Sequence, residues 1–213
     1  MKVTIVYDNE VRSVGLREGH GFSALIEDEG VSPLLFDTGA DGPILLHNMK
    51  ELNIDPRDIN AIVISHAHDD HTGGLSRILS MNEVAELYLP SSFRRAFPRR
   101  KITEVKGPVQ IRENIFSTGE LEGVEQSLAL KTAKGVFVVT GCAHSGVERI
   151  LAAAARFGEL YGIVGGFHGF RDFELFKGLS LICPCHCTRY KQEIRDFFGG
   201  RTLDCGVGSV IEL

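Results

Sequence analysis

The chain has 213 residues, 43% hydrophobic and 24% charged, a composition that excludes wholesale disorder and fibrous architectures. Its formal net charge of -5 argues against a general polyanion-binding role, so no nucleic-acid partner is expected. No apolar run approaches the ~20 residues that a membrane span needs.

The first run, 2–7, alternates and turns polar at Asp8. That is the pattern of a β-strand and not of an export signal, so a cytoplasmic location is expected. Further strand-like runs fall at 22–27, 33–36, 61–65, 86–89, 109–111, 127–132, 135–140, 160–164, 179–183 and 207–212. Apolar residues at helical spacing predict helices over 44–52, 74–81, 147–157, 170–177 and 188–198. Strands follow one another in the first half and alternate with helices in the second, which predicts a layered α/β or α+β domain. With no repeat, low-complexity tract or Pro/Ser-rich linker, residues 1–213 read as one domain.

Several apolar strands end at chemically loaded turns. Run 33–36 leads into Asp37-Thr38-Gly39, 61–65 into His66, 135–140 into Gly141-Cys142-Ala143-His144, 160–164 into Gly165-Gly166-Phe167-His168, and 179–183 into Pro184-Cys185-His186. Side chains at strand C-termini can converge on one sheet edge. Of eight histidines, three fall within six residues, in His66-Ala67-His68-Asp69-Asp70-His71. On extended backbone, alternate side chains point the same way, so His66 and His68 can grip one ion. A turn into helix would swing Asp70 and His71 toward a second, while Gly73 and Gly74 let the backbone pack closely beneath. Imidazole with carboxylate suits zinc, iron or manganese.

His-x-His-x-Asp-His after a buried strand, with Asp37 after an earlier one, resembles the metallo-β-lactamase superfamily. Thr140–Gly146, Gly165–His168, Pro184–Thr188 and Glu125-Gln126-Ser127-Leu128 look like its branch named for dihydropterin ribofuranosylaminobenzene phosphate synthase. The resemblance implies an α+β fold, a four-layer αββα sandwich. It implies that His66, His68 and His144 form one metal site, and that Asp70, His71 and His186 form a second. The cofactor expected is Zn2+, as one or two ions, with iron or manganese as alternatives. The aspartate that usually bridges two metals is read as replaced by Cys142, so that thiolate or a mononuclear site are both open. Asp37 is read as orienting a ligand from behind. His168 is read as a ligand, a proton donor or a substrate contact, and Asp70 and His168 are the catalytic candidates.

Cys183, Cys185 and Cys187 crowd around His186, which suits reduced thiols near a metal or plain buried cysteines. Arg94, Arg95 and Arg99 belong to a basic run, 94–101, in an acidic chain; it reads as a solvated loop or as a clamp on substrate phosphate. Relative to the branch, loops between 90 and 127 look trimmed. His20 and His47 have no assigned role.

The function expected is a metal-dependent hydrolase, with metal-bound hydroxide attacking a phosphoester or ester-like bond of a small molecule. The alternatives are a pterin-type transferase or synthase and a non-catalytic metal-binding regulator. The oligomeric state is left open.

Overall fold

The computed structural model describes residues 1–213. Its strands are β1 (Lys2–Tyr7), β2 (Ser23–Asp28), β3 (Val31–Phe36), β4 (Ala61–Val63), β5 (Glu86–Pro90), β6 (Ile102–Val105), β7 (Val109–Arg112), β8 (Ile115–Ser117), β9 (Leu128–Thr132), β10 (Gly135–Thr140), β11 (Leu160–Gly165), β12 (Leu181–Pro184) and β13 (Val210–Glu212). They form two sheets, ordered β13-β1-β2-β3-β4-β5-β6 and β12-β11-β10-β9-β8-β7.

Both sheets are buried on both faces. Leu34 and Phe36 of β3 point to the layer between the sheets, while Leu35 points outward; Phe137 and Val139 of β10 point inward, while Val136 and Val138 point outward. This explains why these strands read as continuous apolar runs. Burying each such side chain contributes roughly 1.5–3 kcal/mol. Helices cover the outer faces. Helix α1 (Gly42–Glu51) and, beyond the four-residue α2 (Asp69–Thr72), α3 (Leu75–Met81) pack on the first sheet; α4 (Val147–Ala154) and α5 (Lys191–Phe198) pack on the second. The result is the four-layer αββα sandwich that the resemblance implied.

Helix α1 begins two residues before the apolar pattern does. Asp41 Oδ1 accepts from the Ile44 amide at 2.8 Å and Pro43 sits in the first turn, so the cap sets the boundary. The expected helix at 170–177 is only a single 3-10 turn, Phe173–Phe176. Phe170, Phe173 and Phe176 recur every third residue, the 3-10 repeat, and ring contacts join them. Residues 90–127 contain β6, β7 and β8; the run at 109–111 marks β7, and the apolar pattern missed the other two. Strand β6 (Ile-Thr-Glu-Val) lies at a sheet edge and is mostly solvent-facing, so it lacks an apolar run.

Topology places the loaded turns. Strands β3, β4 and β5 are mutually parallel, as are β10, β11 and β12. Within each sheet the C-terminal ends therefore share one edge. Four non-glycine residues at those ends adopt left-handed backbone: Asp37 (φ 57°), Ala143 (φ 55°), His168 (φ 47°) and His186 (φ 43°). Strain of this kind, of order 1–3 kcal/mol each, concentrates at functional sites.

Candidate metal centre at the shared sheet edge

The strand ends bring six histidines into a continuous array. Ring centroids are 4.6 Å apart for His66 and His68, 4.7 Å for His66 and His144, 4.2 Å for His66 and His71, 5.1 Å for His71 and His186, and 4.6 Å for His144 and His168. Three donor groups each gather ligand atoms within 4.8 Å of one another: Asp70–His71–Cys142–His186, His66–Cys142–His144, and Cys142–His168–Cys187. Cys142 belongs to all three. His68 joins the second group through its Nδ1, 3.1 Å from His66 Nε2.

Asp37 organises the first sheet's side of this array. It is fully buried, and its Oδ1 accepts from the Ser65 amide at 2.6 Å. Its Oδ2 faces Ser65 Oγ at 2.6 Å and His71 Nδ1 at 2.7 Å. As a carboxylate it accepts all of these. Ser65 Oγ, having spent its proton on Asp37, accepts from His66 Nδ1 at 2.8 Å. One carboxylate thus fixes both imidazoles with their Nε2 lone pairs toward the donor groups, as the partners behind metal-ligating histidines do. Burial raises the Asp37 carboxyl well above its ordinary value, against the Ser65 hydrogen bonds. Beneath α2, a Cβ on Gly73 would collide with the Ala40 carbonyl, and one on Gly74 with the Thr38 carbonyl.

The electrostatics suit cation binding. Burial pushes the His71 imidazole down to about 3 and, with its imidazole neighbours His71, His144 and His68, pushes His66 well down, so both are neutral. Burial also lowers His144, with Glu125 opposing. The His186 contact holds the Asp70 carboxyl well below the usual carboxylate range. A hydrogen bond with Cys187, then burial, raise the Cys142 thiol.

The donors present fit an ion. Nε2 of His144 and Nε2 of His186 are buried with no hydrogen-bond partner. His186 Nε2 lies 3.2 Å from Asp70 Oδ2, and His71 Nε2 lies 3.6 Å from it. In a tetrahedral site with bonds near 2.0–2.1 Å, ligand atoms are separated by roughly 3.3 Å. The pairs sit at the spacing of ligands that share one cation.

Sequence reasoning missed the supports. Gln126 ties the sheets together beneath the array: its Nε2 donates to the Ile64 and Tyr88 carbonyls, and its Oε1 accepts from Ser117 Oγ at 2.6 Å. Glu125 Oε1 accepts from the Ser145 amide and hydroxyl at 2.7 and 2.8 Å, fixing the turn that carries His144. His20 lies 3.3 Å from Asp70 Oδ2. Its position was readable in principle, because antiparallel pairing sets Ala24 opposite Phe36 and so puts the start of β2 beside Asp37. His47 caps a surface contact with the Gly15 carbonyl instead.

The cysteines divide. Cys183 and Cys185 are buried in the inter-sheet core with Cys205, away from the donor groups, and only Cys187 reaches Cys142 and His168. Their crowding around His186 reflects strand alternation, which sends Cys183 and Cys185 inward. Arg94, Arg95 and Arg99 lie on the 91–101 loop that leaves β5 at the histidine edge, and none of them pairs with a carboxylate. Phe93 and Phe97 anchor that loop against the first sheet's helix layer.

A cleft of about 300 Å³, lined by Ala143, His144, Gly146, Phe167, His168 and Phe170 among others, opens beside the array. A larger cavity of about 720 Å³ lies between α1 and α3 around Leu46, Ile54 and Met81, and no donor group adjoins it. The chemistry points to the smaller one.

An αββα sandwich whose parallel strand ends converge imidazole, carboxylate and thiol donors on one edge is the layout of a metal-site protein of the metallo-hydrolase class. The sequence model of the metallo-beta-lactamase superfamily matches residues 16–150, and the chain belongs to that superfamily. It is 29% identical over 242 residues to the 7,8-dihydropterin-6-methyl-4-(beta-D-ribofuranosyl)-aminobenzene-5'-phosphate synthase of Methanocaldococcus jannaschii, covering 82% of each chain. It superposes with a TM-score of 0.80 and 28% identity on Tm1679, described as a metal-dependent hydrolase of the beta-lactamase superfamily, covering 100% of this chain and 99% of that one. The metallo-beta-lactamase fold protein YhfI of Bacillus subtilis, at 14% identity and a TM-score of 0.70, shares the fold. No helix is long and apolar enough to cross a membrane.

Proposed function

We propose that the chain is a metal-dependent enzyme that cleaves a phosphoester or ester-like bond in a small-molecule substrate. The observation that carries this reading is the pair of donor groups, Asp70–His71–Cys142–His186 and His66–Cys142–His144, which share Cys142 and set imidazoles beside a carboxylate. His68 would complete the second of these. When bound, zinc or a similar ion supplies Lewis acidity, polarising a phosphoryl or carbonyl oxygen and making water a competent nucleophile near neutral pH.

The remaining chemistry belongs to the chain. Asp37 and Ser65 hold His66 and His71 in the tautomer that leaves Nε2 free. His168, beside His144 and lining the cleft, would give a proton to the leaving group. The 91–101 loop, leaving β5 at the histidine edge, would offer Arg94, Arg95 and Arg99 to an anionic substrate group, and Phe167 and Phe170 give the cleft an apolar wall.

Transfer to an organic acceptor is a second reading, favoured by the 29% identity to the archaeal synthase across most of both chains. In that case the acceptor amine or carbon takes the place of water. One experiment separates the two. The zinc-loaded protein is incubated with a dihydropterin activated as its pyrophosphate and with ribofuranosylaminobenzene 5'-phosphate. Coupled product establishes transfer; free pterin alone, or turnover of bis(p-nitrophenyl) phosphate without coupling, establishes hydrolysis. Absence of turnover on all substrates, with two metal equivalents bound, would overturn both in favour of a binding role.

A further inference from the structure

We propose that Asn9 and His20, in the connection between β1 and β2, act together as an outer brace that positions Asp70 and His186 and so sets the cation affinity of the Asp70–His71–Cys142–His186 group. This rests on the reading that this group holds a metal ion. Neither residue belongs to a donor group, and both come from a stretch that the histidine-rich motifs do not include.

Hydrogen-bond directions at one side-chain amide set the geometry of both imidazoles. Asn9 Oδ1 accepts from the backbone N–H of Gly21 at 3.1 Å. A backbone amide can only donate, so the orientation of the Asn9 side chain is settled. The same oxygen lies 2.9 Å from His186 Nδ1. An oxygen can only accept there, so His186 carries a proton on Nδ1; as a neutral ligand it then presents its Nε2 lone pair, 3.2 Å from Asp70 Oδ2. The other end of the amide, Asn9 Nδ2, faces His20 Nδ1 at 3.4 Å and can only donate to it. Neutral His20 therefore carries its proton on Nε2, and that nitrogen lies 3.3 Å from Asp70 Oδ2.

One side chain thus assigns opposite tautomers to two imidazoles. His186 presents a lone pair, as a ligand must. His20 presents an N–H, which a ligand cannot, and which suits a donor that steadies a ligating carboxylate. The His20 ring packs on His186 with centroids 5.2 Å apart, so it also limits the motion of that ring. Its backbone neighbourhood is anchored to the same target: the Phe22 amide donates to the Asp70 carbonyl at 3.2 Å. Asp8 Oδ2 accepts from the His186 amide at 2.9 Å, so the residue before Asn9 holds the same histidine by its main chain.

The His20 side chain is 70% exposed, so its replacement does not open the core. The test uses the full chain, stripped of metal and titrated with Zn2+ against a chromophoric chelator, and with Co2+ followed by visible absorption. His20→Leu and Asn9→Leu are each expected to weaken the affected equivalent about 10–100-fold, the range that outer-shell partners of metal ligands show. The other equivalent is expected to bind as in the wild type. His20→Gln, which restores an N–H donor toward Asp70, is expected to recover most of the loss with an unaltered Co2+ spectrum. The double variant His20→Leu/Asn9→Leu should fall short of the product of the single effects, because the two act through one contact.

Wild-type affinity in His20→Leu overturns the brace. Equal loss in His20→Gln and His20→Leu, with a changed Co2+ spectrum, also overturns it and makes His20 a ligand. A wild-type protein that binds no Zn2+ overturns the metal-centre reading instead. One that binds a single ion leaves His20→Leu to decide the brace on that ion's affinity.

Discussion

The two sheets deliver their donors to the shared edge in different ways. The first sheet presents four from one short segment, His66 to His71, around a single buried carboxylate that holds two of the imidazoles directly or through Ser65. The second sheet presents its donors singly, as Cys142 and His144, His168, and His186, one turn per strand. Ala143, His168 and His186 in those turns adopt left-handed backbone. One side is held by a single hydrogen-bond fan, and the other by separate devices, left-handed backbone at Ala143, His168 and His186 and hydrogen bonds such as Ser145 to Glu125. A dense motif can be organised by one residue behind it, whereas scattered donors need a separate positioning device for each strand end.

Six substitutions at five positions probe that contrast, from the largest effect to the smallest. Asp37→Ala should act on the first sheet's side most strongly. It leaves the Ser65 amide, Ser65 Oγ and His71 Nδ1 buried without their acceptor, at 1–3 kcal/mol each in typical cases. A stability loss of about 3 kcal/mol or more in urea, together with reduced zinc content, is expected; a loss below about 1 kcal/mol would refute the fan. Asp37→Asn should lose less, since it keeps an acceptor for the Ser65 amide.

The cysteines sharpen the comparison on the second side. Cys183→Ser puts a hydroxyl into the inter-sheet core, which costs about 1–3 kcal/mol, and should leave metal content unchanged. Cys142→Ser should do the reverse, lowering metal stoichiometry with a smaller effect on the melting temperature. Equal metal content in the two variants would remove Cys142 from the centre.

Ala143→Gly tests the strain itself. A left-handed conformation costs an L-residue roughly 1–2 kcal/mol, and the added freedom of glycine in the unfolded chain returns part of that. The net expectation is stabilisation by up to about 1 kcal/mol in thermal unfolding. Destabilisation would mean that the alanine methyl packs well enough to outweigh the strain.

The smallest effect lies away from the edge, as a control. Hydrogen bonds from Arg57 hold the Asp55 carboxyl down to about 2, below its ordinary 3.8. A lowered carboxylate stabilises the fold above the unfolded-state value, and that contribution is lost as pH falls through about 2. Asp55→Asn keeps the turn cap and removes the ion pair. It should lower the melting temperature slightly at pH 7, with the difference vanishing near pH 2 and metal content unaffected. A difference that grows on acidification would reverse the sign and refute the assignment.

Much of this was legible in the sequence because the information is local. The apolar runs of β3, β4, β10 and β11 are buried on both faces, so they stand out without alternation. The donors His66, His68, Asp70 and His71 are adjacent, so spacing alone puts them together. The elements that escaped lack such signals. Edge strand β6 has no apolar run, and the 3-10 turn at Phe173–Phe176 mimics a helix because three aromatic residues at a spacing of three satisfy both repeats loosely. Cys183 and Cys185 crowd His186 in the sequence, but alternation turns both away from it and into the core.

By itself, the sequence determined the layered architecture, the family and the candidate cation-binding residues, since these depend on composition, local periodicity and short motifs. The tertiary structure decided which donors meet. Cys142 is common to all three donor groups only because β10 runs parallel to β11 and β12 and its end faces that of β4. Asn9, His20, Ser65 and Gln126 support the edge through hydrogen bonds to residues distant in the chain, and such contacts leave no local pattern. Their chemistry lies in the direction of an N–H or a lone pair, which only the folded chain sets.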